Sequence, residues 1–192
     1  MSDHGDPSTA PAPAGAIVLI GMPGAGKSTV GVLLAKHLGL RFVDTDILIQ
    51  QRAGRLLQRI LDEDGYRVLR RLEEEAILAL DARAAVIATG GSAVYSERAM
   101  RHLARAGTLV YLKAGCAVLA ARIDDYDRRG IANPGGQPFE EIYRERTPLY
   151  ERHAAAVVAV DGLTQEQVAR AVIAALPARV PSAPRLPGRE RG

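Results

Sequence analysis

A single cysteine, Cys116, stands in a chain of 192 residues, so no intrachain disulfide can form. Aromatic residues are also scarce, at 4 %. With no basic patch interleaved with aromatic rings, a nucleic-acid-binding module is not expected. The four histidines, His4, His37, His102 and His153, show no metal-ligand spacing. No apolar run approaches the roughly 20 residues of a membrane span. The opening stretch MSDHGDPSTAPAPAGA carries acids where a secretory signal would carry a basic segment. No internal repeat is present. These absences leave a cytoplasmic protein, expected to act as a monomer without a membrane or nucleic-acid partner.

What the chain does contain is enough apolar material for one domain with a real core: 47 % hydrophobic and 24 % charged residues. The net charge of +3 owes much to Arg179, Arg185, Arg189 and Arg191, so the remainder is nearer neutral. Residues 1–14 are Pro, Ala and small polar residues, and 177–192 are Pro- and Arg-rich. Neither end can bury enough apolar surface to offset ordering, so both are expected to be flexible tails around a domain at 15–176.

Between them, short apolar runs alternate with helical patterns. Strands are predicted at AIVLIG (16–21), RFVDT (41–45), AAVIAT (84–89), GTLVYL (107–112) and AVVAV (156–160). Helices are predicted at about 27–38, 66–83, 96–106 and 116–123. A last helix starts after Thr164, with Gln167 in capping-box position. This alternation implies an α/β fold, a five-stranded parallel sheet with helices on both faces. Ligands of such sheets bind at the carboxyl ends of the strands.

The stretch GMPGAGKS (21–28) fits G-x-x-x-x-G-K-[ST] and lies between a strand and a helix, the context that makes the motif credible. Its glycines let backbone N–H groups turn around phosphate oxygens, and the helix start adds positive dipole. Gly24, Ala25, Gly26, Lys27, Ser28 and Thr29 are therefore candidates to hold ATP. Lys27 supplies a cation to the β and γ phosphates, and the Ser28 hydroxyl can ligate Mg²⁺. A dinucleotide fingerprint fails, because Thr29 stands where a glycine is required. No N-K-x-D guanine-reading motif occurs. A small phosphotransferase is the best remaining class.

Several pieces in order, GMPGAGKSTVG, DTD followed by QQRAGR, LRRLEEE, ATGG and RTPLYER, resemble the shikimate kinases, within the small-molecule P-loop kinases of nucleoside-monophosphate-kinase-like fold. The resemblance covers roughly residues 16–176. It implies that Asp44 helps hold Mg²⁺, often through water, and that Asp46 contacts the acceptor hydroxyl. On an extended chain the two would point the same way, both facing the cleft. It implies that Arg70 and Arg146 bind the acceptor's carboxylate, with Pro148 suggesting a fixed turn rather than a plain helix at Arg146. Gly90 and Gly91 would let the backbone approach the substrate, and Arg122 would pack on the adenine. The stretch at about 124–139 reads as a mobile lid that excludes water and brings Arg129 or Arg128 to the transferring phosphate.

The chain departs from the family pattern at three places. Ser92 replaces the usual third glycine, Tyr66 and Leu69 replace a Glu and a Phe, and the lid reads RRGIANPGG. The expected activity is transfer of the ATP γ-phosphoryl group to shikimate, a step of aromatic amino acid biosynthesis. A kinase for another hydroxy acid, such as homoserine or gluconate, stands as the alternative. A nucleotide-binding regulator without a small acceptor is the reading from a different class.

Overall fold

A computed structural model describes residues 15–122 and 137–177. Five parallel strands form one sheet in the order β2-β3-β1-β4-β5: β1 Ala16–Ile20, β2 Arg41–Asp44, β3 Ala85–Ala88, β4 Gly107–Lys113 and β5 Ala156–Ala159. The central strand, AIVLI, is buried along its whole length, the mark of a parallel strand covered on both faces. It pairs with β3 through Ile17–Val86 and with β4 through Ile17–Thr108.

Eight helices connect and flank the strands among the described residues: α1 Lys27–Leu38, α2 Thr45–Ala53, α3 Leu57–Asp64, α4 Tyr66–Leu78, α5 Glu97–Ala106, α6 Cys116–Arg122, α7 Phe139–His153 and α8 Gln165–Ala175. None of the described helices is long and apolar enough to cross a membrane. Their termini follow local chemistry. Ser96 caps α5 by accepting from Ala99 N at 3.0 Å. Thr164 and Gln167 close the expected capping box on α8, with Thr164 N donating to Gln167 Oε1 at 2.8 Å.

The apolar residues form two clusters. The larger surrounds the sheet and takes in α1, α5, α8 and the buried face of α7. A smaller one, Ile49, Ile60, Leu69 and Ala76, joins α2, α3 and α4 to one side. These three helices build a platform beside the strand ends rather than a layer over the sheet.

Three local expectations change. The helix predicted over 66–83 ends at Leu78, because the chain must turn into β3 at Ala85. Arg41 of β2 donates to the carbonyls of Asp81 and Arg83 and ties that turn down. The second strand stops at Asp44, so Asp46 lies in the first turn of α2 and not on extended chain. Arg146 and Pro148 both sit inside α7, where a turn was expected. Proline in a helix interior costs about 3 kcal/mol. Burial of Ile142, Arg146 and Tyr150 along one face of α7, on both sides of Pro148, outweighs that cost. The region read as a lid lies mostly outside the described residues, with Arg128 and Arg129.

Candidate active site

A cavity of about 430 Å³ opens at the carboxyl ends of β1, β2 and β3. Its donor end is the loop between β1 and α1. Gly24 and Gly26 adopt φ of 80° and 89°, the left-handed region that a side chain resists, and Gly26 is the N-cap of α1. Without a Cβ at Gly24 or Gly26, the loop leaves the first backbone N–H groups of the helix open to a ligand. Gly24, Gly26, Lys27, Ser28 and Thr29 line the cavity. Ala25 does not; it is buried, and its N–H donates to Met22 O at 3.2 Å.

Lys27 is buried and folds over the loop, donating to Gly21 O and Met22 O at 2.8 Å each. A third ammonium proton remains for a ligand. Burial pulls its pKa down to about 8, although Asp46, Asp44 and Glu73 nearby oppose the change. A polyphosphate here would restore the charge that burial disfavours.

Asp44 links donor and acceptor ends. One carboxylate oxygen accepts from Ser28 Oγ at 2.6 Å, and the other accepts from Asp46 N at 2.9 Å, capping α2. Among the described residues no three acidic, histidine or cysteine side chains gather as a metal cage. The paired oxygens of Ser28 and Asp44 nevertheless fit Mg²⁺, which takes one or two protein oxygens plus substrate phosphates and waters.

The acceptor end brings together Asp46, Glu73, Gly90, Gly91, Ser92 and Arg146. Gly90 N donates to Thr45 Oγ1 at 2.9 Å, fixing the turn after β3 to the start of α2. A Cβ on Gly90 would collide with Glu73 and lie 2.7 Å from Asp46 Oδ1, so only glycine lets these two acids close on the turn. Burial raises Asp46 to about 6, with Asp44 adding and Lys27 opposing. Burial likewise raises Glu73 to about 7, with Asp46 adding, and Ser92, Arg146 and Lys27 opposing. Ser92 Oγ donates to Glu73 Oε2, while Glu73 Oε1 is buried with no hydrogen-bond partner.

Arg146 is fully buried, and its Nε donates to Tyr95 Oη at 3.2 Å. Burial opposes its charge, but Tyr150, Tyr95 and Glu73 around it hold its proton affinity above the ordinary value. Tyr150 supports the same turn by donating to Gly91 O at 2.5 Å. Arg122, at the end of α6, lines the donor side and reaches Gly24 O at 3.4 Å.

Arg70, like Ala25 and Asp44, does not line this cavity. It lines an adjoining cavity of about 290 Å³, with Ser92 shared by both. It makes no helix-surface pair with Glu73 or Glu74, since Glu73 is buried against Ser92 and Glu74 pairs with Arg98 at 2.8 Å. Arg71 is the surface-pair residue, 3.8 Å from Glu75.

Sequence reasoning missed Glu73, Tyr95 and Gln165. Glu73 carried a signal: it falls on the stripe Leu69, Glu73, Ala76, Ile77 that α4 buries, and an acid on such a stripe is unusual. Gln165, the first residue of α8, lines the donor end with its Oε1 buried and unpaired. Nothing in its local sequence marked it.

The family model described as shikimate kinase matches residues 23–177. A curated shikimate kinase of Mycobacterium avium (strain 104) is 40 % identical over 164 residues, 84 % of this chain and 93 % of that protein. One from Rhodococcus jostii (strain RHA1) is 35 % identical over 83 % of this chain and 96 % of that protein. The solved shikimate kinase from Acinetobacter baumannii in complex with shikimate superposes with a TM-score of 0.75 at 28 % identity, covering 83 % of this chain and 90 % of that one.

Proposed function

The chain belongs to the shikimate kinase family, and from that premise we propose how its residues carry the transfer of the ATP γ-phosphoryl group to a hydroxyl of shikimate, giving shikimate 3-phosphate. The observation that carries the reading is that one cavity holds both the phosphate loop, with Lys27 and Ser28, and the acceptor groups Asp46 and Arg146.

Gly24, Gly26, Lys27, Ser28 and Thr29 hold the polyphosphate, with Ala25 shaping the loop from behind, and Arg122 packs on the adenine. Ser28 and Asp44 would hold Mg²⁺, which would supply charge neutralisation for the transferring phosphates. Asp46 orients the acceptor hydroxyl and takes its proton as the oxygen attacks the γ phosphorus. The bond from that phosphorus to the β–γ bridging oxygen breaks, and ADP leaves. A carboxylate with its pKa raised to about 6 suits a general base at neutral pH: it is mostly ionised yet more basic than a free one. Lys27 and a lid arginine, Arg129 or Arg128, balance the charge that spreads over the transferring group. Gly90 and Gly91 admit the acceptor ring against backbone, and Arg146 and Arg70 engage its carboxylate. Residues 15–176 form the catalytic unit, with a lid at about 124–139, and act as a monomer in the cytoplasm.

ADP release across a panel of hydroxy acids, with and without Mg²⁺, tests the reading. Strong stimulation by shikimate that needs Mg²⁺ is expected. Stimulation by homoserine or gluconate but not shikimate would move the acceptor. No stimulation by any acid would leave a nucleotide-binding regulator.

A further inference from the structure

Tyr95 stands between the two arginines. It closes a short 3-10 turn, Ala93–Tyr95, directly after the glycine turn. Its hydroxyl accepts from Arg146 Nε at 3.2 Å, and Arg146 Cζ lies 5.2 Å from its ring centroid. Arg70 Cζ rests 3.7 Å from the same centroid and 5.2 Å from that of Tyr66. A guanidinium that near a ring is held by the negative face of the π-system. Arg70 Nε and Nη2 are shielded from water and have no hydrogen-bond partner.

Distances of 3.7 and 5.2 Å to one centroid bound the separation of the two guanidinium carbons at about 9 Å. Like charges that near repel, and buried N–H groups without acceptors are costly. A carboxylate that accepts bonds of about 2.8 Å from each side would span such a separation and relieve both. Ser92 lines both cavities, so their shared wall lies beside this ring.

We propose that Tyr95 is a positioning residue for the acceptor's carboxylate, its hydroxyl orienting the Arg146 fork and its ring carrying the Arg70 guanidinium. The inference rests on the reading of the cavity as an acceptor site for a carboxylated alcohol. It also accounts for Tyr66, a departure from the family pattern, as the second aromatic neighbour of Arg70.

Steady-state kinetics of full-length Tyr95→Phe and Tyr95→Leu, with shikimate and with its methyl ester, provide the test. Tyr95→Phe removes the hydroxyl but keeps the ring, and should raise the shikimate KM about tenfold. Tyr95→Leu removes both, and should raise it a further ~3- to 30-fold. The KM for ATP should stay unchanged in both. The KM for the uncharged ester should match wild type, which a merely structural role of Tyr95 would not produce. The Phe variant conserves volume, so the test stands even if the Leu variant fails to fold. A shikimate-responsive wild type whose variants keep its shikimate KM, or shift shikimate and ester alike, would overturn the inference alone. A wild type that ignores shikimate would overturn the reading beneath it, and the inference with it.

Discussion

The two ends of the cavity are assembled in different ways. The donor end is built mainly on one contiguous segment, Gly21–Thr29, whose lysine is fastened to its own loop carbonyls, with Arg122 and Gln165 added from α6 and α8. The acceptor end is gathered from the start of α2, the middle of α4, the turn after β3 and the buried face of α7. The donor end holds a buried cation, the acceptor end a buried acid, Glu73, a half-buried one, Asp46, and a buried arginine. A polyphosphate is recognised by backbone N–H groups and charge, which one loop can supply. A ring with several hydroxyls and a carboxylate needs side chains from several directions. Asp44 joins the two ends, with one oxygen on Ser28 and the other capping the helix that carries Asp46.

If the ends are separable, the largest effect should come from the acid that orients the acceptor hydroxyl. Asp46→Asn should lower kcat about 10²- to 10⁴-fold while ATP affinity stays near wild type, read by steady-state kinetics and by calorimetric titration with ATP. Collapse of ATP affinity would mean that the ends do not divide the work. Next, Arg70→Ala should raise the shikimate KM by about 1.5–3 kcal/mol, roughly 10- to 100-fold, with the KM for ATP unchanged. An equal rise in both constants would place Arg70 in support of the whole cavity.

The smallest effect concerns pH and separates the two ends by sign. Glu73 is raised from 4.5 to about 7, so the folded ligand-free protein keeps a proton there that the unfolded chain has released. The unfolded state then binds fewer protons, and this group lowers stability as pH rises from about 4.5 to about 7. Lys27, lowered from 10.5 to about 8, does the reverse: its unfavourable contribution is complete below about 8 and fades as pH rises towards 10.5. Glu73→Gln should therefore gain stability over wild type on the order of 2 kcal/mol more at pH 7.5 than at pH 4.5, measured by chemical denaturation. A difference that does not vary with pH would show that Glu73 stays ionised in the fold.

The donor end was legible because its information is local. Glycines at fixed spacing between an apolar strand and a helix specify a phosphate loop whatever surrounds them. The strand-helix alternation was legible for the same reason, with periodicities of 2 and 3.6 repeated along the chain. The acceptor end was read only in part. DTD was read with the wrong local geometry, because a strand that stops at Asp44 rather than Thr45 turns an extended pair into a cap and a first-turn acid. Proline at 148 suggested a turn, yet packing on both sides of it carries the helix through. Glu73 was not read as a site residue, and its place became plain only where α4 meets the turn after β3.

The sequence by itself determined the family, the sheet of alternating strands and helices and the phosphate loop, since each rests on short-range spacing. The tertiary structure decided which face of α4 is buried, that Arg70 lies on Tyr95 in an adjoining cavity while Arg146 enters the main one, and that Ser92 meets Glu73. Those contacts join residues 19 to 51 positions apart, and only the packing of α4 and α7 against one turn brings them together.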